Sequence, residues 1–514
     1  MEKICELILV AAAASVCTFA AAETKTSTTQ PAGQPEQQNF EESLKDIITV
    51  PADILIGIPK LFVKLIDAPQ EAIIQPNPTE TGLYKYDPAE IAYELQDREG
   101  TREIVEKKWF KWGFDFRARE VYHKNAVYLD SHRPNSEYQF QRYRSRIWST
   151  ITPVEGVDIN SRLTWEFRHY CEPHSVDSDP NSEAVIDTLN VTFTKPADLP
   201  AKFIMGRQDI FIGDGWLIAD GTPLDGSRTY YFDAFRLQYN FDNENDLDVM
   251  YLNTPANSDQ YITPFNSQHS YLVEQNMQGV ATIWNNRSII KGSTLSPYII
   301  WSKDNKVLSS GYNADLYTFG ARASGNLRAN WFYRAEAAMQ LGRKDGQAVA
   351  AGGLNSLLEY RFLDGWQNSI GLGYEYLSGD DPDSSTNEQF DPLWGRWPRF
   401  SELLIYTFSG ETHLAEATNM HRLSLGWTAH PHKKIELYST YQLLFAAQNT
   451  FRDKEGFSEN GKFRGQLVTA LLKYKFNENI SSHIVGEVFF PGDYYDDSRN
   501  DPAVFVRYQL LFEW

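Results

Sequence analysis

Arginines recur at every second residue in two neighbouring stretches of the chain, at Arg117 and Arg119 and at Arg142, Arg144 and Arg146. Alternate residues of a β-strand point to one face, so each set would place its guanidinium groups side by side. Guanidinium remains charged at physiological pH and binds carboxylates in a bidentate manner. The spacing therefore predicts a surface that binds anions rather than a catalytic centre.

The same residue type falls on the polar side of other alternating stretches. These further candidates for anion binding are Arg162, Arg168, Arg236, Arg334 and Arg361. A wall of such groups inside a lumen would concentrate and conduct an anion. The alternative is a structural network in which each arginine pairs with a buried carboxylate. Candidate partners on the same stretches are Asp115, Glu166, Glu336, Glu359, Glu375, Glu436 and Glu487.

The elements that would carry these arginines alternate between apolar and polar residues. Phe110, Trp112, Phe114 and Phe116 are separated by single polar residues or glycine, and the chain ends with apolar residues alternating up to Trp514. An apolar-out, polar-in repeat over about 10 residues is typical of strands in membrane β-barrels. The pattern therefore predicts membrane-spanning strands.

Short and long connections alternate along the chain, as periplasmic turns and extracellular loops do in outer-membrane barrels. The predicted long connections include 211–230, 343–350 and 379–419. An even strand count requires that 400–408, although strand-like, lies inside the 379–419 loop. We therefore predict an all-β fold, a transmembrane antiparallel up-and-down β-barrel of about 18 strands over residues 108–514.

The composition bears on both the compartment and the cargo. The chain has 514 residues, 14% of them aromatic, and a formal net charge of −20. Aromatic girdles at two membrane interfaces would use the aromatic residues. A uniformly acidic protein would repel a polyanion, but the acidic excess lies largely in connections such as 380–383 and 493–497. A net negative charge is therefore compatible with a basic lumen.

The N-terminal region has three predicted parts. Residues 1–22 have the pattern of a signal peptide, and residues 23–43 form a disordered linker. Residues 44–107 contain apolar residues at near-helical spacing, interrupted by prolines, which predicts short helices. This segment packs below the barrel in the periplasm, lies on the inner rim of the membrane or acts as a plug. Removal of the signal peptide leaves Cys171 alone, so no intramolecular disulfide is predicted.

Residues 205–237 read as a strand, a glycine-rich loop and a second strand. This stretch resembles the alginate-export family of bacterial outer-membrane β-barrels, which carries a GRQ…GDG-x-L-I pattern followed by R…FD-x-x-R-L. The matching positions are Gly206, Arg207, Gln208, Gly213, Asp214, Gly215, Leu217, Ile218, Arg228, Phe232, Asp233, Arg236 and Leu237. Trp216 departs from the family, which often has arginine after GDG. The resemblance implies export of alginate or a similar uronate polymer.

The 211–230 loop is the third long connection, and in large porins a loop at that place often folds inward and narrows the channel. The predicted motif and constriction residues are Arg207, Asp209, Asp214, Arg228 and Asp233. Ordinary turn roles are the alternative, and the alternation around Arg207 does not decide which face it occupies. The 379–419 loop, with Arg396 and Arg399, is a candidate external gate.

The sequence contains no H-E-x-x-H, G-x-S-x-G or P-loop pattern, so no catalytic residue, metal or cofactor is predicted. The favoured hypothesis is an outer-membrane channel for an anionic polysaccharide or oligosaccharide. A general or uptake porin for small solutes is the alternative, followed by a secreted carbohydrate-active β-protein. A wide basic lumen would favour the first hypothesis, and a narrow lumen with charge-paired walls the second.

The hypothesis also specifies partners and assembly. The expected partners are the acidic saccharide, outer-membrane lipid with lipopolysaccharide, and the barrel assembly machinery. No nucleic-acid partner is expected, and the barrel is predicted to be monomeric.

Overall fold

The computed structural model describes residues 104–173, 184–219, 230–265, 271–412 and 414–514. The predicted signal peptide and linker, and residues 44–103 of the predicted helical segment, lie outside the described residues.

Within these described residues, nineteen strands form one sheet. They are β1 (Ile104–Lys107), β2 (Phe110–Lys124), β3 (Glu137–Val154), β4 (Val157–Glu172), β5 (Ala184–Thr194), β6 (Ala201–Gln208), β7 (Phe232–Asn240), β8 (Asn245–Thr254), β9 (Gln275–Asn286), β10 (Ser293–Lys306), β11 (Ala314–Arg328), β12 (Trp331–Lys344), β13 (Gln347–Arg361), β14 (Ser369–Leu377), β15 (Met420–His432), β16 (Ile435–Phe445), β17 (Phe463–Lys475), β18 (Ile480–Pro491) and β19 (Ala503–Glu513). The described helices are α1 (Leu403–Thr412) and two 3-10 turns, Pro196–Asp198 and Leu393–Gly395.

The sheet closes on itself because the last strand pairs with the second. Strands β2 to β19 each pair antiparallel with the next along the chain, and β19 returns to β2 from Val504↔Lys124 to Glu513↔Asp115. Closure satisfies the backbone groups that an open edge would leave unpaired. The prediction of an 18-strand antiparallel barrel is confirmed. The short strand β1 pairs with β2 through Ile104↔Trp112, in line with the end of β19, so strand structure begins within the segment predicted as helical.

Side chains alternate between the two faces of the barrel wall as the sequence predicts. On β2, Asp115 and Arg117 are buried inside, whereas Phe114 and Phe116 lie on the outer face. Large apolar side chains are exposed outside, including Phe235 at 48%. A closed barrel with an apolar outer face spans a membrane.

The two ends of the barrel differ in their connections. Turns such as 155–156, 329–330 and 433–434 define a short-turn end, and loops such as 209–231 and 378–419 define a long-loop end. Such asymmetry assigns the short turns to the periplasm and the long loops to the outside.

One connection at the long-loop end is short. The prediction of a long loop over 343–350 is wrong, because β12 and β13 continue to a two-residue turn at Asp345 and Gly346. Both residues have positive φ, 47° and 87°, and Asp-Gly is among the favoured sequences for such a hairpin turn.

The strand-like stretch 400–408 lies inside the 378–419 connection, as the even strand count required. It contributes to a helix, α1, rather than a strand. The Glu487 carboxylate on β18 accepts hydrogen bonds from the backbone amides of Glu402 and Leu403, which satisfies donors at the start of the helix. Within the described ranges no helix has the length and apolar character needed to cross a membrane.

The outer face generates a stability prediction. Leu372 lies on the outer face of β14 and is 52% exposed. Leu372→Arg should destabilise the barrel by about 2–4 kcal/mol, because a charge near the bilayer midplane loses its hydration. Denaturant-dependent refolding into phosphatidylcholine vesicles measures this change. The control is Tyr122→Arg near the outer end of β2, where the penalty should fall to about 0–1 kcal/mol. Equal effects at the two positions would contradict the assigned membrane depth.

Candidate functional site

The inner wall of β2, β3 and β4 carries a concentration of positive charge. Its arginines are Arg117, Arg119, Arg142, Arg144, Arg146, Arg162 and Arg168, and its carboxylates are Asp115, Asp158 and Glu166. The seven arginines therefore outnumber the three carboxylates on these inward positions. This wall contains seven of the ten arginines that the sequence predicted for anion binding.

Strand register aligns these arginines in rows across the wall. Arg119 lies opposite Arg142, which lies opposite Arg168, so three like charges are neighbours on three strands. In the next row, Arg117 lies opposite Arg144, and Arg144 lies opposite Glu166. Like charges directly opposite each other destabilise a sheet unless other groups offset them.

Two carboxylates on the wall provide part of that compensation. The Glu166 carboxylate forms ion pairs with Arg117 at 2.9 Å and with Arg142 at 3.3 Å. Asp115 receives Arg146 through a 2.8 Å hydrogen bond from Nε and lies 3.8 Å from Arg144. These carboxylates are at most 8% exposed, which makes the pairs part of the wall rather than of its solvated surface.

The remaining predicted arginines are also paired. Arg162 contacts Asp187 at 2.7 Å and Asp209 at 2.8 Å, which brings one predicted constriction residue to the wall. Arg236 pairs with Asp248 on the neighbouring strand, and Arg361 with Glu359 on its own strand. Arg168 donates to the Tyr170 hydroxyl and stacks over the Phe140 ring at 4.8 Å. Ion pairs between arginines and buried carboxylates, the alternative that the sequence left open, are therefore present.

The glycine-rich loop between β6 and β7 crosses the interior. Gly213 and Gly215 have φ of 63° and 71°, which glycine adopts without a steric penalty. Between them, Asp214 is fully buried and forms an ion pair with Arg334 on β12. Its carboxylate also accepts a 2.8 Å hydrogen bond from Asn355 on β13. The loop thus reaches the wall opposite its own strands.

The charge state of Asp214 follows from these contacts. Burial favours the neutral carboxyl and would raise its pKa, but the charges of Arg334 and Arg399 outweigh burial and hold the pKa below its usual value. Asp214 is therefore ionised at neutral pH, which sustains its ion pair with the wall.

The motif pair Arg207 and Asp233 faces away from the lumen. The two residues are register partners at the long-loop end of β6 and β7, on the side that carries exposed Met205 and Phe235. Arg207 binds Asp233 at 3.0 Å and stacks over Tyr231 at 3.7 Å, which leaves it 2% exposed. These contacts give the pair a packing role at the rim. The predicted Arg228 lies outside the described residues.

The 378–419 connection enters the barrel instead of covering it from outside, so the external position expected for Arg396 and Arg399 is wrong. Arg396 binds Glu274 at 2.9 Å, and Arg399 binds Glu375 at 3.4 Å. Arg399 also donates to the backbone carbonyl of Gly215, which joins this connection to the glycine-rich loop. Residues 209–219 and 390–412 are called the inserted segments below.

Apolar packing fills the long-loop half of the barrel. Trp216, Phe390, Trp394, Leu403 and Phe408 of the inserted segments are at most 3% exposed. They join one core with inward wall residues, which include Val121, Leu252, Leu316, Leu377 and Phe505. The predicted polar-in pattern therefore holds for the part of the wall that carries the arginines of β2, β3 and β4. Towards the long-loop end, many inward positions are apolar.

The contacts of Trp216 explain why this position can depart from the family motif, which often has arginine here. Its ring stacks on Phe390 with centroids 5.3 Å apart, and its indole N–H donates to Glu375 at 3.0 Å. Gly353 on β13 makes room, since a Cβ there would lie 2.9 Å from Trp216 and 3.0 Å from Phe390. The tryptophan thus links both inserted segments to the wall.

A small polar cavity of 40 Å³ lies between the wall and the inserted segments. Arg334, Arg399 and Arg422 line it together with Asp214, and Gly373 is on its wall side. Arg422 binds Glu375 at 2.9 Å. A space of this volume is too small for a saccharide.

Two further buried arginines of the interior were not among the predicted site residues. Arg464 on β17 pairs with Glu411 at 2.8 Å, and Arg507 on β19 pairs with Glu402 at 2.7 Å. The alternation of β19 places Arg507 on the inner face and so carried the signal. Arg464 stands next to Gly465, whose φ of 142° breaks the alternation of β17.

Comparison with known proteins supports both the fold and the family. The family described as alginate export matches residues 108–506. A comparison with curated protein sequences found no match. Crystal structures of Pseudomonas aeruginosa OccK2 are similar at 9–10% sequence identity. The one in complex with glucuronate has a TM-score of 0.51 over 79% of this chain and 97% of that chain. Another has a TM-score of 0.50 over 78% and 97%.

At this level of identity the structural similarity supports the fold alone, whereas the family match covers most of the barrel. The outward apolar face, the closed 18-strand wall and the family agree on one location. The chain belongs to the alginate export family and forms a porin-like channel of the bacterial outer membrane.

Proposed function

We propose that this channel passes acidic saccharides of the uronate class, with the arginines of β2, β3 and β4 as transient carboxylate sites. The family description supports a uronate cargo, since alginate is a uronate polymer. The OccK2 structure in complex with glucuronate concerns another protein, but it has the same barrel fold and binds the same chemical class. Weak, repeated sites suit conduction because a cargo must leave each site as readily as it enters.

The row Arg119, Arg142 and Arg168 is the observation that carries this proposal. Three guanidinium groups in register on adjacent strands repel one another, and Glu166 binds the middle one at 3.3 Å. A wall that served only stability would alternate charge along the row. A diffusing carboxylate relieves the repulsion, so a uronate gains affinity here without a tightly fitted pocket.

A porin for small solutes is the second candidate function. It is supported by the ion pairs of the wall and by the inserted segments, which pack against the inner wall of the long-loop half. By the criterion applied to the sequence, a narrow lumen with charge-paired walls favours this candidate. Both candidates use the same barrel and differ in whether the inserted segments move aside for an extended chain. A secreted carbohydrate-active β-protein does not agree with the outer-membrane family.

Cargo length separates the two candidates. We expect mannuronate trimers and longer oligomers to block single-channel current in planar bilayers, with a residence time that rises with oligomer length as more carboxylates bind arginines. Matched neutral mannose oligomers serve as the control for size. Block by monomeric glucuronate that does not increase with length would support the small-solute porin. Equal block by the neutral oligomers would contradict carboxylate recognition.

The central arginine of the row provides a second test. Arg142→Gln should weaken block by the mannuronate trimer by about tenfold or more, because a hydrogen bond to a charged group contributes roughly 1.5–3 kcal/mol. Anion selectivity, measured as the reversal potential in a potassium chloride gradient, should fall in the same variant. The matched control is Arg287→Gln, since Arg287 is 46% exposed in a short turn. Unchanged block in Arg142→Gln would exclude the row as a binding site.

A further inference from the structure

Three wall arginines bind carboxylates that come from the inserted segments. Arg334 on β12 pairs with Asp214, Arg464 on β17 pairs with Glu411, and Arg507 on β19 pairs with Glu402. The latter two pairs are 2.8 Å and 2.7 Å long. All six side chains are at most 6% exposed, so each pair is buried inside the barrel.

These pairs differ in kind from the wall pairs. Lys473 binds Glu436 at 3.1 Å on the adjacent strand, and Arg236 binds Asp248 in the same way. Backbone hydrogen bonds fix both members of a wall pair in one register, so the pair persists whatever the interior contains. The pairs of Arg334, Arg464 and Arg507 break whenever the inserted segments leave the lumen.

Departure of the inserted segments would expose a specific chemistry. Three arginines on three separate strands would each lose a carboxylate partner. A buried charge that loses its partner is strongly unfavourable, so the open state requires either water or another carboxylate at these positions. An acidic saccharide carries the same functional group as the side chains that leave.

Further contacts show that the second inserted segment is held by charge as well as by apolar packing. Tyr495 donates a 2.6 Å hydrogen bond to Glu411, the residue that binds Arg464. Glu487 on the wall accepts hydrogen bonds from Ser401 and Leu403 at 2.6 Å and 2.8 Å. Helix α1 therefore presents Glu402 and Glu411 to wall arginines from fixed positions at its two ends.

We propose that the inserted segments close the channel by mimicking its cargo. Asp214, Glu402 and Glu411 occupy carboxylate-binding positions of the open channel, and Arg334, Arg464 and Arg507 bind uronate carboxylates once the segments move. An acidic saccharide thus competes with the protein's own carboxylates and stabilises the open state, because it binds that state alone. This inference rests on the proposed uronate cargo and assigns it a regulatory role.

The first test removes the negative charge of the inserted glutamates without changing the shape of their side chains. Glu402→Gln and Glu411→Gln, singly and together, should raise the open fraction in planar bilayers by about tenfold in the absence of saccharide, since each removes one charge of a buried pair. The matched control is Glu436→Gln, the same substitution in a wall pair near the short-turn end, which should leave gating unchanged. Heat-modifiable migration on gels checks that each barrel has folded.

The second test separates mimicry from a structural lock. Arg507→Gln and Arg464→Gln should also raise the open fraction, but they should weaken binding of the mannuronate trimer in the open channel by about tenfold. The glutamate variants should bind the trimer at least as tightly as the native channel. If the arginine variants open the channel and bind the trimer normally, the pairs are a lock and the mimicry is wrong.

Failure of the proposed function has a different signature. A channel that shows no block by the mannuronate trimer in any variant, including Glu402→Gln/Glu411→Gln, would overturn the uronate cargo itself. Trimer block that is retained, together with an open fraction in the glutamate variants equal to that of Glu436→Gln, would overturn the mimicry alone.

Discussion

Backbone hydrogen bonding in a medium without water is the constraint on which this structure depends. Every strand from β2 to β19 must be paired on both sides, and the pairing of β19 with β2 achieves this by closure. Closure fixes which side chains face lipid and which face inward. Charged side chains must then share the interior, where the arginines of β2, β3 and β4 become neighbours by register alone.

An enclosed interior of this size must be hydrated or filled, and this protein does both at different levels. Near the short-turn end, small polar side chains such as Asn160 and Asn190 bond to each other at 3.0 Å. Arginines and carboxylates follow at the middle level. Towards the long-loop end, the wall becomes apolar and the inserted segments pack against it. The interior therefore combines a core like that of a soluble protein with buried ion pairs.

The sequence was sufficient to predict the barrel wall because side chains alternate between the two faces of each strand. Alternation along each strand predicted the closed barrel, its strand number and the inward position of Arg117, Arg142 and Arg334. It was insufficient for the interior, because the contact between Asp214 and Arg334 joins residues far apart in the chain. The inward path of the 211–230 loop was predicted from its place in the chain, whereas no pattern predicted that the 379–419 loop would enter the barrel.

At some positions, local features of the chain gave a result that the pattern of strands and loops did not predict. The turn at Asp345 and Gly346 is shorter than the pattern of loops suggested, and Arg207 lies on the outer face at the rim.

The position of the 378–419 connection has a consequence for the order of folding. It leaves β14 and returns to β15, and these two strands pair directly along the wall from Ser369↔Thr428 to Leu377↔Met420. Both ends of the connection thus emerge at one mouth of the barrel, side by side. The segment can enter after the cylinder has formed, without threading and without breaking a ladder hydrogen bond. Assembly of the wall and condensation of its contents are therefore topologically independent events.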